Sequence, residues 1–153
     1  MNKTFLITAA IFGAISVMLG AFGAHALKNK MPADAFEIFE TAIKYQFYHV
    51  FALLAAGILA QAFPGAFITW SGRFFIAGIL VFSGSLYLLS YFKASGNQQM
   101  NWLGAITPFG GLSFITGWIF LANPVPPYIS EFKILFISST IALASARLIS
   151  ASR

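Results

Sequence analysis

Residues Thr4 to Ala24 read TFLITAAIFGAISVMLGAFGA, and no charge occurs between Lys3 and His25. A bilayer core about 30 Å thick is crossed by ~20 apolar residues in a helix, so this stretch alone is long enough to span a membrane. Three more stretches behave alike. Between Lys44 and Arg73 only His49 can carry a charge near neutral pH, and the runs Arg73 to Lys93 and Lys93 to Glu131 carry none. The chain therefore reads as all-α, a polytopic membrane helical bundle with four transmembrane helices. After them, Phe132 to Ile149 is apolar on all sides, but Lys133 and Arg147 bracket only 13 uncharged residues. A fifth, C-terminal helix spans only if both ends snorkel to the interface; lying on the surface, or disorder, stays open beside it. The division expected is a four-helix transmembrane domain over 1–122 and, over 123–153, a Pro-containing linker with a C-terminal apolar helix.

Composition supports a lipid-facing surface. The 153 residues are 59% hydrophobic and 8% charged, against roughly 25% charged in soluble domains. The 9 Lys and Arg exceed the 4 Asp and Glu, but they sit singly at the ends of apolar runs, where they anchor helices and meet anionic headgroups. Nucleic acid is not an expected partner. With no cysteine, disulfides and thiolate metal sites are excluded. Ala24-His25-Ala26 mimics a signal-peptidase site, but the apolar segment before it exceeds the ~7–15 residues of a signal core and reads as a retained first helix. The positive-inside rule gives no majority for four spans and puts the Lys28 side inside for five.

The second helix is unusual. Pro32 suits a helix start and Asp34 and Glu37 suit the positive end of its dipole; the next stop signal is Pro64-Gly65. A helix from 32 to 63 is about 48 Å long, so its first third is expected at the interface or in water. Glu40 and Lys44 have the spacing of an i,i+4 pair. Helix three is expected from about Trp70 to Tyr91, with a polar notch at Ser83-Gly84-Ser85. Helix four starts near Trp102, and Thr107-Pro108 with Gly110-Gly111 predicts a kink or break, because proline removes a backbone donor and crowds the preceding turn. Small residues at Ser16, Gly20 and Ala24 give helix one a strip for close packing, within the subunit or between copies.

Ionisable groups at membrane depth are functional candidates by default. His25 ends helix one and His49 lies in helix two, both expected near one membrane face. Together with Glu40, Lys44, Tyr45, Gln46 and Tyr48 they form a candidate polar or ligand site. Tyr45 is spaced to hydrogen-bond His49, and the group reads as a haem or metal pair, a proton relay, a pocket for a lipid headgroup or quinone, or simply a polar brace of the helix turn. Ser83, Ser85, Thr107, Pro108, Gly110 and Gly111 form a second candidate, a helix-kink notch. HExxH, GxSxG and a phosphate loop are absent, and no span holds paired acids. No metal or cofactor is assigned.

Four segments in order, Gly20–Leu27 (GAFGAHAL), Phe39–His49 (FETAIKYQFYH), Phe82–Leu89 (FSGSLYLL) and Trp102–Gly111 (WLGAITPFGG), resemble a family of small multi-pass membrane proteins of unknown function that includes bacterial inner-membrane members and human transmembrane protein 256. The resemblance covers residues 1 to about 122. It implies a small multi-pass protein of the bacterial plasma (inner) membrane and carries over no catalytic residue. The leading expectation is a non-enzymatic accessory or scaffold subunit that binds membrane lipids, another membrane protein or a second copy of itself. The alternatives are a small oligomeric channel or permease, and a haem- or quinone-binding membrane protein.

Overall fold

The computed structural model describes residues 1–96 and 98–123, so the expected C-terminal helix lies outside the described residues. Every regular element among them is helical: α1 (Lys3–Phe22), α2 (Ala33–Ala62), α3 (Ala66–Gly78), α4 (Gly84–Ala94) and α5 (Thr107–Ala122). Alpha1 runs on through a π-turn at Gly23–Leu27, a second π-turn at Ile79–Ser83 joins α3 to α4, and a 3-10 segment at Gln98–Ala105 leads into α5. Four continuous rods result, Lys3–Leu27, Ala33–Ala62, Ala66–Ala94 and Trp102–Ala122, each long and apolar enough to cross a membrane.

The stops and starts follow from local chemistry. Asn2 caps α1, its side-chain oxygen accepting the Phe5 N–H at 3.3 Å. Pro32 precedes α2 with extended backbone, and Pro64-Gly65 ends it. After α4 the chain reverses at Gly96, whose φ of +74° suits a residue without a Cβ. The third rod begins at Ala66, four residues before the expected Trp70, because helix resumes directly after the Pro64-Gly65 break, and within it Ser71 and Gly72 are buried. The break foreseen around Pro108 falls between the 3-10 segment and α5. Proline there occupies the first helical turn, where its missing N–H is not needed.

Alpha2 is the central rod, packed on α1 along its length and on α3, the π-turn and α4. Alpha5 packs mainly on α3. Phe5, Leu53, Ile68, Phe75 and Phe114 fill the middle of the bundle. Lipid gives these helices no hydrophobic reason to associate, so polar contacts and close approach must hold them. The Ser71 hydroxyl donates to the Gly117 carbonyl at 2.9 Å, Ser113 to Phe74 at 2.8 Å and Ser90 to Ala35 at 2.7 Å, each joining two helices.

Candidate functional site

The candidate polar residues of α2 separate onto three faces. Gln46 is buried and turned to the bundle: its amide donates to the Phe12 carbonyl at 3.1 Å, while its oxygen accepts the Tyr87 hydroxyl at 3.1 Å. It thereby ties α1, α2 and α4 together.

His49 and Tyr45 face α3, α5 and the π-turn at Ile79–Ser83. His49 is only 7% exposed and its ring lies flat on Phe114. Tyr45 packs on Phe82. The expected bond from the Tyr45 hydroxyl to His49 is not made. Nδ1 of His49 instead meets the Tyr45 backbone carbonyl at 2.7 Å, and since a carbonyl only accepts, Nδ1 carries the proton. One helical turn brings an i,i+4 imidazole back over that carbonyl, whereas the phenol projects outward.

The two histidines are not neighbours. Gly13 of α1 faces Val50 of α2, so His49 lies at about the level of Gly13, and His25 stands twelve positions further along α1, about 18 Å away along its axis. His25 is exposed near the loop end and His49 lies at the middle of α2. The 30-residue length of α2 sets His49 halfway along it, far from the loop end where His25 stands. A bis-histidine haem or metal site is therefore unavailable within one subunit, and among the described residues no three His, Asp or Glu side chains gather as metal ligands.

Glu40, Lys44 and Tyr48 occupy the third face, along the outer seam between α1 and α2. A cleft of about 130 Å³ is lined by Gly20, Gly23, Ala24, Phe36, Phe39, Glu40, Ile43 and Lys44. Sharing Ile43 and Lys44 with it, a second cleft of about 230 Å³ continues toward the middle of α2 between Ser16, Val17, Phe47 and Tyr48. The strip of Ser16, Gly20 and Ala24 read in the sequence thus forms a wall of this groove. A Cβ on Gly20 would meet no atom within 4 Å, so a larger side chain there would project into open space. Among the described residues Glu40 and Lys44 form no ion pair, with each other or with a neighbour. The expected i,i+4 pair is replaced by one between Lys93 and Asp34 at 2.7 Å, where the ends of α4 and α2 meet.

The second candidate, the notch, does come together. The Ser85 and Thr107 hydroxyls lie 2.9 Å apart, Gly110 seats on the Phe82 backbone and Gly111 meets the Phe82 ring. Pro108 is exposed on the first turn of α5. Ser83, fully buried in the π-turn, has a hydroxyl with no partner among the described residues. A further apolar pocket of about 420 Å³ lies between Phe22, Leu27, Met31, Phe39, Tyr87 and Tyr91, and was not foreseen from sequence. Its walls come from three separate rods, and the hydroxyls of Ser90 and Tyr87 in it are already spent on Ala35 and Gln46.

Comparison with other proteins agrees with this architecture. The family described as "Protein of unknown function (DUF423)" matches residues 19–111. The UPF0382 membrane protein YwdK of Bacillus subtilis is 40% identical over 128 residues, 83% of this chain and 99% of that protein. The UPF0382 membrane protein SSP2132 of Staphylococcus saprophyticus is 42% identical over 78% of this chain and 93% of its own length. The UPF0382 inner membrane protein YgdD of Escherichia coli K12 is 38% identical over 76% of this chain and 85% of its own. No solved structure matches. Four spanning rods and relatives named for the membrane and inner membrane make this an integral membrane protein, as expected from its sequence. The chain belongs to the family described as "Protein of unknown function (DUF423)".

Proposed function

We propose that this protein is a non-enzymatic, phospholipid-binding membrane subunit whose site is the outer groove between α1 and α2. The supporting observation is Lys44. Alpha2 has 30 residues, about 45 Å at 1.5 Å per residue, against a core of about 30 Å. With the Ala62 end at one boundary, ~20 residues fill the core and the other boundary falls near Ala42. An exposed cation therefore stands just inside that boundary, its long side chain able to snorkel to the lipid phosphates, above an apolar cleft walled by Val17, Phe47 and Tyr48 that suits an acyl chain.

The channel reading has less support, because bulky side chains fill the centre of the four rods. A pore needs several copies. The test is native mass spectrometry of the full chain released from its membrane. Phospholipid adducts are expected on the wild type and a reduced fraction on Gly20→Leu, which fills the groove on a lipid-facing wall. Bare protein under conditions that preserve other lipid complexes would overturn the reading.

A further inference from the structure

The groove carries two opposite charges that are not satisfied by one another, and their order along the membrane normal specifies a headgroup. This inference rests on the lipid-binding reading above and deepens it. Glu40 and Lys44 line the same upper cleft and are both exposed. Four residues apart on α2, they share a face, with Glu40 about 6 Å nearer the water. The acyl-sized cleft starts at Lys44 and runs the other way, toward the bilayer centre. Reading inward, the groove presents an anion, a cation and an apolar trough.

We infer that the groove selects a zwitterionic aminophospholipid of the phosphatidylethanolamine type. In such a lipid the ammonium is outermost, a two-carbon arm joins it to the phosphate, and the acyl chains follow. That sequence is complementary to Glu40, Lys44 and the Val17–Phe47–Tyr48 trough in the same order. An anionic glycerol headgroup pairs with Lys44 but leaves Glu40 facing a like-charged lipid. A choline headgroup supplies a positive charge but no N–H to donate to the Glu40 carboxylate. A primary ammonium supplies both charge and donors, and charge-assisted hydrogen bonds are the stronger kind. Phe36 and Phe39, stacked at the back of the upper cleft, leave no other carboxylate or hydroxyl among the cleft-lining side chains to compete for the ammonium.

The test offers full-length protein in mild detergent an equimolar mixture of phosphatidylethanolamine, phosphatidylglycerol and phosphatidylcholine with identical acyl chains, read by native mass spectrometry. The wild type is expected to retain phosphatidylethanolamine over each competitor by at least about threefold, the scale of one exposed charge pair. Glu40→Gln is expected to abolish that preference while keeping total bound lipid, and Lys44→Ala to lower retention of all three. Circular dichroism confirms that the variants are folded. Retention of all three lipids without preference, or a preference that survives Glu40→Gln, overturns this inference and leaves lipid binding standing. Absence of any adduct, with the same result for Gly20→Leu, overturns the lipid-binding reading itself.

Discussion

The imidazole of His49 lies flat on the ring of Phe114, with centroids 3.4 Å apart and planes 8° from parallel. Phe75 and Trp118 approach the same imidazole from the side. A ring this enclosed serves as a packing element between α2 and α5. Its one hydrogen bond among the described residues goes to a carbonyl that also accepts a backbone N–H within the helix. His49→Phe keeps the stack and is expected to change unfolding free energy in detergent by less than about 1 kcal/mol. His49→Ala leaves a void and is expected to cost about 2–4 kcal/mol. Chemical unfolding followed by tryptophan fluorescence distinguishes the two, and a His49→Phe variant as unstable as His49→Ala would show that the imidazole nitrogens matter beyond packing.

Gln46 and Tyr87 form the polar joint of the bundle, with the Phe12 carbonyl as third member. Removing one member strands the others away from water, and that cost exceeds the net value of the bond. Gln46→Leu is expected to destabilise by about 1–3 kcal/mol. Tyr87→Phe in the same background is expected to restore part of the loss, since it removes the stranded hydroxyl. A double-mutant cycle in unfolding free energy measures this; strictly additive effects would mean that the two side chains do not share one network.

Ser83 presents the opposite case. Its hydroxyl is fully buried at the π-turn and finds no partner among the described residues, so there the side chain contributes a desolvation cost without a compensating bond. Ser83→Ala is expected to leave stability unchanged or raise it by about 1 kcal/mol. A measured loss would reveal that the hydroxyl holds something in the folded protein, and would move the notch from a packing feature to a binding one.

The four spans were legible because twenty uncharged apolar residues have few alternatives in physical terms, and the length of α2 followed from Pro32 and Pro64-Gly65 alone. Helix packing was less visible. The π-turn at Ile79–Ser83 has no local signature; what packs against it, Phe114 and Gly110 on Phe82, comes from distant α5. The serines that join helices, Ser71, Ser90 and Ser113, carry no sequence mark of that role, because their acceptors are backbone carbonyls of distant helices. The candidate polar site was drawn as one cluster because Glu40, Lys44, Tyr45, Gln46, Tyr48 and His49 are close in sequence. On a helix, a run of ten residues passes every face nearly three times, so Gln46 points inward, His49 toward α5 and Lys44 into the outer seam with α1. The signal that finds the groove is the four-residue step of Glu40, Lys44 and Tyr48, matched on α1 by Ser16, Gly20 and Ala24.

Gly110 and Gly111 are adjacent and chemically identical, yet they should respond differently to the same change. A Cβ on Gly110 would collide with backbone atoms of Phe82, which cannot move without shifting the π-turn. A Cβ on Gly111 would stand 3.9 Å from the Phe82 ring, an ordinary contact. Gly110→Ala must therefore push α5 away from the third rod, loosening the Ser85–Thr107 and Ser113–Phe74 hydrogen bonds that depend on that separation. The expected loss is about 2–3 kcal/mol, the scale of overpacking a tight contact. Gly111→Ala is expected to be neutral or stabilising, because alanine is the better helix former by up to about 1 kcal/mol. Unfolding midpoints of the two variants in the same detergent decide the matter. Equal effects would mean that α5 does not sit in the register described, with Gly110 against Phe82.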